Sequence, residues 1–174
     1  MKPALHDDPG AFGGLQPGPE YATARFVVLP LPYDGTSTWL KGADRGPQAI
    51  LEASANLELY DIETGTEPWR HGIVTMAPVA PGPTAEETVD RIRDTALALI
   101  EDDKIVVGLG GEHSVSIGLI QAQAERHPGL EVLQLDAHAD TRDSYDGSRC
   151  NHACVMARVA EVCDFVQVGV RSMD

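Results

Sequence analysis

Asp136, His138 and Asp140 are side chains that favour metal ions, and they occupy alternate positions in the run LEVLQLDAHAD, residues 130–140. In extended backbone, alternate side chains point the same way, so all three can converge on one point. Val132, Leu133 and Leu135 just before them read as a buried parallel strand, too short for an ordinary helix. The convergence point then lies beyond the carboxyl end of a strand, where open α/β sheets keep their ligands. Two carboxylates and an imidazole suit a divalent cation such as Mn²⁺, Zn²⁺ or Fe²⁺.

A second group arrives one strand earlier. Gly110-Gly111-Glu112-His113-Ser114 follows the apolar run KIVVGL and precedes a helical stretch. The glycines permit a tight turn and close backbone approach, and the turn delivers His113 to the same sheet edge as Asp136. Alone, GGEHS reads as readily as a surface histidine; beside DAHAD in a parallel sheet it reads as a metal ligand. His152 follows a polar loop that bears Asp143, Tyr145, Asp146 and Arg149. An imidazole near a metal but outside its ligand set is suited to shuttle protons near neutral pH. A capping or surface histidine is the competing reading.

These residues need a scaffold of alternating strands and helices. Strands are predicted over 25–31, 72–76, 104–109, the run before Asp136, and 164–170. Helices are predicted over 48–60, with Ala49, Ile50, Leu51, Ala53 and Leu57 on the buried face; from Thr84, with Val89, Ile92, Ala96, Leu99 and Ile100 as its stripe; over about 114–126; and over 151–162. Thr84-Ala85-Glu86-Glu87 matches a capping box, and Pro128-Gly129 ends the third helix. The fold class is α/β, a three-layer α/β/α domain with a mainly parallel sheet whose strands look buried on both faces. Residues 1–23, with four prolines and no hydrophobic period, read as an irregular N-terminal arm that either packs on a neighbouring subunit or hangs loose. Residues 24–174 form the domain.

The totals narrow the function classes. The 174 residues suffice for one domain with a sizeable core. A net charge of −14 argues against nucleic acid as a partner. It can steer cationic substrates, although solubility alone explains it as well. No apolar run approaches the roughly 18 residues of a membrane span, and no apolar signal core follows the N-terminus, so a cytoplasmic protein is expected. Cys150, Cys154 and Cys163 show no CxxC pair and read as reduced thiols.

Taken together, GGEHS, DAHAD, NHACVMARV and VQVGVRSMD resemble the ureohydrolases: arginase, agmatinase and their relatives. YDGTSTW followed by GADRGPQAI is similar to the agmatinase branch in particular. The resemblance implies an arginase-like fold and a two-manganese site that hydrolyses a guanidino group to urea and an amine, with agmatine giving putrescine. It implies His113 and Asp140 as ligands of one Mn²⁺, His138 as a ligand of the other, and Asp136 as a bridge. Two such cations can activate a water at neutral pH. Asp140 would also hold that water by a hydrogen bond, and His152 would pass a proton to the departing amine. Asp174 falls where relatives hold the substrate's distal amine. Asp143 and Asp146 in the preceding loop would suit the same cationic end, whereas Arg142 or Arg149 would suit the α-carboxylate of arginine; a solvated charge cluster is the bland alternative. A trimer or hexamer is expected of a complete chain, with no nucleic-acid or membrane partner.

The family also has a later D-x-D pair and a glutamate that grips the guanidinium, and this sequence contains neither. The second metal position is therefore incomplete here, and the chain alone is expected to be inactive. It reads as the N-terminal part of a ureohydrolase. The alternatives are another guanidine or amidine hydrolase of the family (acting on aminopropylagmatine, guanidinobutyrate, arginine or formiminoglutamate) or a truncated, non-catalytic partner in oligomers. Zinc amide deacetylases share a D-x-H pattern, but GGEHS and the third acid, Asp140, speak against them.

Overall fold

The computed structural model describes residue 4, residues 10–15 and residues 18–173. Asp174 and much of the N-terminal arm lie outside the described residues.

Among the described residues there are five strands, β1 (Phe26–Leu31), β2 (Ile73–Thr75), β3 (Ile105–Gly110), β4 (Glu131–Leu135) and β5 (Asp164–Val168), and every pair of these strands is parallel. They form two ribbons where a single sheet was expected: β1 lies between β2 and β3, while β4 pairs with β5. The central position of β1 explains its composition, since Val27 to Leu31 are all buried. Pro30 lies beyond the last β1–β2 pair, Val28↔Thr75, so its missing N–H removes no ladder bond on that side.

Four helices connect the strands: α1 (Gly46–Ser54), α2 (Ala85–Glu101), α3 (Val115–Arg126) and α4 (Val155–Val159). Helix α2 starts as its capping residue requires, with the Glu87 N–H donating to Thr84 Oγ1 at 3.1 Å. Its predicted stripe of Val89, Ile92, Ala96, Leu99 and Ile100 is buried throughout. The stripe serves both ribbons: Ile92 and Leu99 pack with Val27, Leu29 and Val74, whereas Val89 joins Ile117 of α3 and Val155, Met156 and Val159 around β4 and β5. Helix α3 approaches α2 closely because Gly118 has no side chain; a Cβ there would lie 2.5 Å from the Val89 carbonyl oxygen.

Two helices are shorter than periodicity predicts. Helix α1 stops at Ser54, and of its expected buried face only Leu51 is buried; Ala49, Ile50, Ala53 and Leu57 are exposed. The Ser54 hydroxyl donates back to Leu51 O and accepts the Gly13 N–H, so the N-terminal arm packs where a longer helix would run. Phe12 N–H likewise donates to Thr75 Oγ1, so this part of the arm lies on the chain's own surface. The predicted last helix begins as a 3-10 turn, His152–Cys154, before the single short segment of α4. Strand β5 ends at Val168 because Gly169 takes a positive φ of 92°.

The β4–β5 ribbon corrects the expectation of strands buried on both faces. Leu133, Leu135, Val166 and Val168 are between 53% and 73% exposed, and the register sets Leu133 beside Val166 and Leu135 beside Val168. The polar Gln134 between the two leucines is buried. Val132 and Phe165, in phase with it, pack against the α3–α4 cluster. One face is covered by helices; the other carries an apolar patch that nothing among the described residues covers.

Candidate metal centre

The carboxyl ends of β3 and β4 open into one cavity of about 700 Å³. His113 reaches it through the turn after β3. Gly111 donates its N–H to Leu31 O, and Glu112 donates to Tyr33 O. A Cβ at Gly111 would overlap the Tyr33 carbonyl, so only glycine permits this approach. The buried Glu112 carboxylate accepts from both the backbone N–H and the hydroxyl of Ser114, which fixes the start of α3 and the direction of His113.

From β4, Asp136 and Asp140 meet this imidazole. His113 Nδ1 lies 2.7 Å from Asp140 Oδ2 and 3.7 Å from Asp136 Oδ2, and the three side chains place one potential ligand atom each within 4.8 Å of one another. All three are half-buried, and the donor set of one nitrogen and two carboxylate oxygens fits a divalent cation of intermediate softness. Burial works to raise the Asp136 carboxyl. The His138 backbone N–H, the His113 charge, the Gln134 amide and the His138 charge outweigh it and hold the group below the usual carboxylate range.

His138 lines the same cavity but stands outside this triad. Its side chain is 64% exposed, and its Nδ1 lies 3.4 Å from Asp136 Oδ1. Asp140 takes a left-handed backbone, φ 50°, a conformation that aspartate tolerates better than most residues. Its carbonyl oxygen accepts the N–H of Met156 at 2.9 Å, so the start of α4 is tied to a metal-facing residue.

His152 lines the cavity as well. Its backbone N–H donates to Thr36 Oγ1 at 3.0 Å, its Nδ1 lies 3.2 Å from the same hydroxyl, and the Tyr145 ring meets the imidazole edge-on at 6.0 Å. Thr36 belongs to a loop organised by Asp34. That carboxylate accepts from the Ser37 hydroxyl and from the N–H groups of Gly42 and Ala43. The Ser37 hydroxyl foremost, with those two N–H groups and Lys41, holds the Asp34 carboxyl low despite its burial. The same loop sets Trp39 and Leu40, 90% and 73% exposed, at the cavity mouth.

Asp143 and Asp146, expected near the substrate's distal amine, are not among the residues that line this cavity. The Asp143 carboxylate is bound by Arg149 at 3.0 Å and by the buried Arg158 at 2.8 Å. Asp146 sits at φ 48° inside the tight turn between Tyr145 and Ser148. Arg149 is further engaged by Glu161, whereas Arg142 stacks on the Tyr145 ring and lines the cavity. None of the three cysteines is disulfide-bonded, and burial foremost raises each thiol above its ordinary value.

Sequence reasoning missed Asp34, Thr36 and Gln134. An Asp-Gly-Thr-Ser run signals a turn that a carboxylate can close. Gln134 was open to a simpler inference, because it lies in phase with Asp136 along the strand; its Nε2 is 3.3 Å from Asp136 Oδ2.

Comparison with known proteins finds relatives along most of the chain. The model of the arginase family matches residues 24–174. An N(1)-aminopropylagmatine ureohydrolase from Synechocystis is 44% identical over 149 residues, covering 82% of this chain and 49% of that protein. An agmatinase from Bacillus cereus is 31% identical over 150 residues, covering 85% of this chain and 50% of the relative. The crystal structure of agmatine ureohydrolase from Thermoplasma volcanium superposes with a TM-score of 0.82 at 32% identity, covering 90% of this chain and 53% of that one. The chain thus spans about half the length of the relatives it matches. That coverage, the two separate ribbons and the bare β4–β5 face are consistent with an incomplete arginase fold.

Proposed function

Because the chain belongs to the arginase family, we propose that it supplies one part of the active site of a manganese-dependent hydrolase acting on a small cationic guanidino compound, agmatine in the first instance. The observation that carries the reading is the meeting of His113, Asp136 and Asp140 in a cavity that His152 also lines. His113, Asp136 and Asp140 would hold one Mn²⁺, and His138 with Asp136 would contribute to a second. When bound, such ions supply Lewis acidity and lower the pKa of water.

The chain's own residues account for the rest. Hydrolysis breaks the bond between the guanidino carbon and the nitrogen that carries the alkyl chain, and that nitrogen needs a proton to leave as an amine. His152 is the group to hold that proton at Nε2, since Nδ1 is engaged by Thr36 and the ring is backed by Tyr145. Asp140, fixed through its backbone carbonyl to α4, is the acceptor that orients the attacking water. Trp39, Leu40 and Met173 give the mouth an apolar wall suited to methylene groups.

A second substrate has a specific observation in its favour. The aminopropylagmatine ureohydrolase relative is 44% identical, against 31% for the Bacillus cereus agmatinase. An aminopropyl extension lengthens the chain by three methylene groups, which suit the apolar wall of Trp39, Leu40 and Met173 at this mouth.

The test is a fusion of residues 1–174 to the C-terminal half of the Synechocystis relative, assayed for urea with Mn²⁺. Release from agmatine supports the first reading, and release only from aminopropylagmatine supports the second. A fusion that binds Mn²⁺ yet yields urea from neither sinks both. The 174-residue chain alone is expected to release none.

A further inference from the structure

Gln134 and Gln167 are polar side chains set between apolar residues near the ends of β4 and β5, and no catalytic step uses them. They lie side by side, since the β4–β5 register pairs Gln134 with Gln167. Gln167 Nε2 donates to Ala139 O at 2.8 Å and to Gln134 Oε1; Gln134 Nε2 in turn faces Asp136 Oδ2 at 3.3 Å.

We infer that Gln134 and Gln167 are positioning residues that hold Asp136 and the following turn in the geometry needed to bind a divalent cation. The direction of the chain of hydrogen bonds is forced by its two ends. A backbone carbonyl can only accept, so Gln167 must present its amide nitrogen to Ala139 O. The second hydrogen of that nitrogen goes to Gln134 Oε1. Gln134 can then offer only its own NH₂ to Asp136, whose ionised carboxylate also accepts only. Neither amide can flip without turning an acceptor onto an acceptor. The pair therefore grips the DAHAD run at two places, the Asp136 side chain and the Ala139 carbonyl.

With Gln134 on Oδ2 and the His138 N–H on Oδ1 at 2.9 Å, each Asp136 oxygen carries one donor. That fixes the carboxylate plane while leaving lone pairs on the His113 side. The backbone braces the same turn from behind: Asp136 N–H donates to Val168 O, Ala139 N–H to Ser172 O, and Arg171 N–H to Ala137 O. None of these three bonds reaches a ligand side chain, whereas the Gln134 amide does, and Gln167 holds that amide in place. Loss of hydrogen-bond partners behind metal ligands commonly weakens metal binding about 10–100-fold.

The inference rests on the metal reading above, and the experiment separates the two. Mn²⁺ binding to the 174-residue chain is measured from the loss of the free-ion EPR signal, for wild type, Gln134→Met, Gln167→Met and the double variant. Methionine keeps the length of the side chain and removes its amide. Gln134→Met is expected to weaken binding at least about 10-fold. Gln167→Met, which never touches Asp136, should weaken it less, and the double variant no more than Gln134→Met. Metal-free melting temperatures show whether a loss comes from unfolding. Should Gln134→Met fail to fold, the half-buried Gln167 decides the matter, and unchanged affinity in Gln167→Met overturns the inference. Binding within twofold of wild type in both variants, or losses that simply add, also overturn it. A wild-type chain that takes up no Mn²⁺ overturns the metal reading, and this inference with it.

Discussion

Removing the Asp34 carboxylate should melt the loop that carries Thr36 and Trp39 while leaving the rest of the fold in place. Asp34 accepts three hydrogen bonds, from Ser37, Gly42 and Ala43, with a side chain only 7% exposed. At about 1 kcal/mol for each, a floor for bonds to a charged acceptor, the set contributes about 3 kcal/mol. Asp34→Ala loses all of it. Asp34→Asn should lose far less: its Oδ1 can still accept a backbone N–H, and the Ser37 hydroxyl can rotate to accept from the new NH₂, leaving a deficit of about 1 kcal/mol. The loop opens locally, so the difference appears in hydrogen exchange before it appears in global unfolding. The Gly42 and Ala43 amides should exchange about 150-fold faster in Asp34→Ala and about 5-fold faster in Asp34→Asn, while amides of β1 and β3 stay protected. Equal exchange in the two variants would refute the reasoning, because it would mean that the charge and not the hydrogen-bond count closes the loop. Unchanged exchange in both would mean that the loop is held elsewhere.

Two further outcomes follow from the site. Thr36→Val removes the hydroxyl shared by the His152 backbone N–H and Nδ1, and at about 1 kcal/mol or somewhat more it should lower kcat for urea release in the fused enzyme roughly 5- to 10-fold, with KM unchanged and near-wild-type rates in Thr36→Ser. A kcat–pH profile identical in Thr36→Val and wild type would show that His152 needs no such support. Asp143→Asn should leave KM for any guanidino substrate unchanged, because this carboxylate answers Arg158 and Arg149 outside the cavity. Arg158 foremost holds its carboxyl below the usual range, so its stabilisation is present above the ordinary carboxylate pKa and lost as pH falls through the lowered folded value. Melting temperatures of wild type and Asp143→Asn should therefore differ at neutral pH and converge in acid, and a KM change in the variant would return Asp143 to the substrate.

What could be read from sequence here was what depends on local geometry. Asp136 and Asp140 meet because alternation along extended backbone is a property of two or three residues, and His113 joins them once the strands run parallel. The α2 stripe was legible for the same reason, since helical period and burial coincide over its whole length. The failures arose wherever a partner distant in sequence decides. Alternation in EVLQL shows that Leu133 and Leu135 share a face and Gln134 takes the other, but not which face the helices cover; α3 and α4 chose the glutamine side, where Val132 and Phe165 pack. Helix α1 ended early because Gly13 reaches Ser54 across 41 positions. Asp143 and Asp140 are three residues apart and chemically alike, yet one faces a histidine and the other two arginines. The residue type named the candidate, and only the far side of the contact, Arg158 on α4, could assign its role. Polar residues in phase with a ligand on an apolar strand are then the more useful signal. Gln134 breaks the strand's composition on the same face as Asp136, and burying an amide there without a partner would be costly. Its partner is Gln167, the matching break in the neighbouring strand.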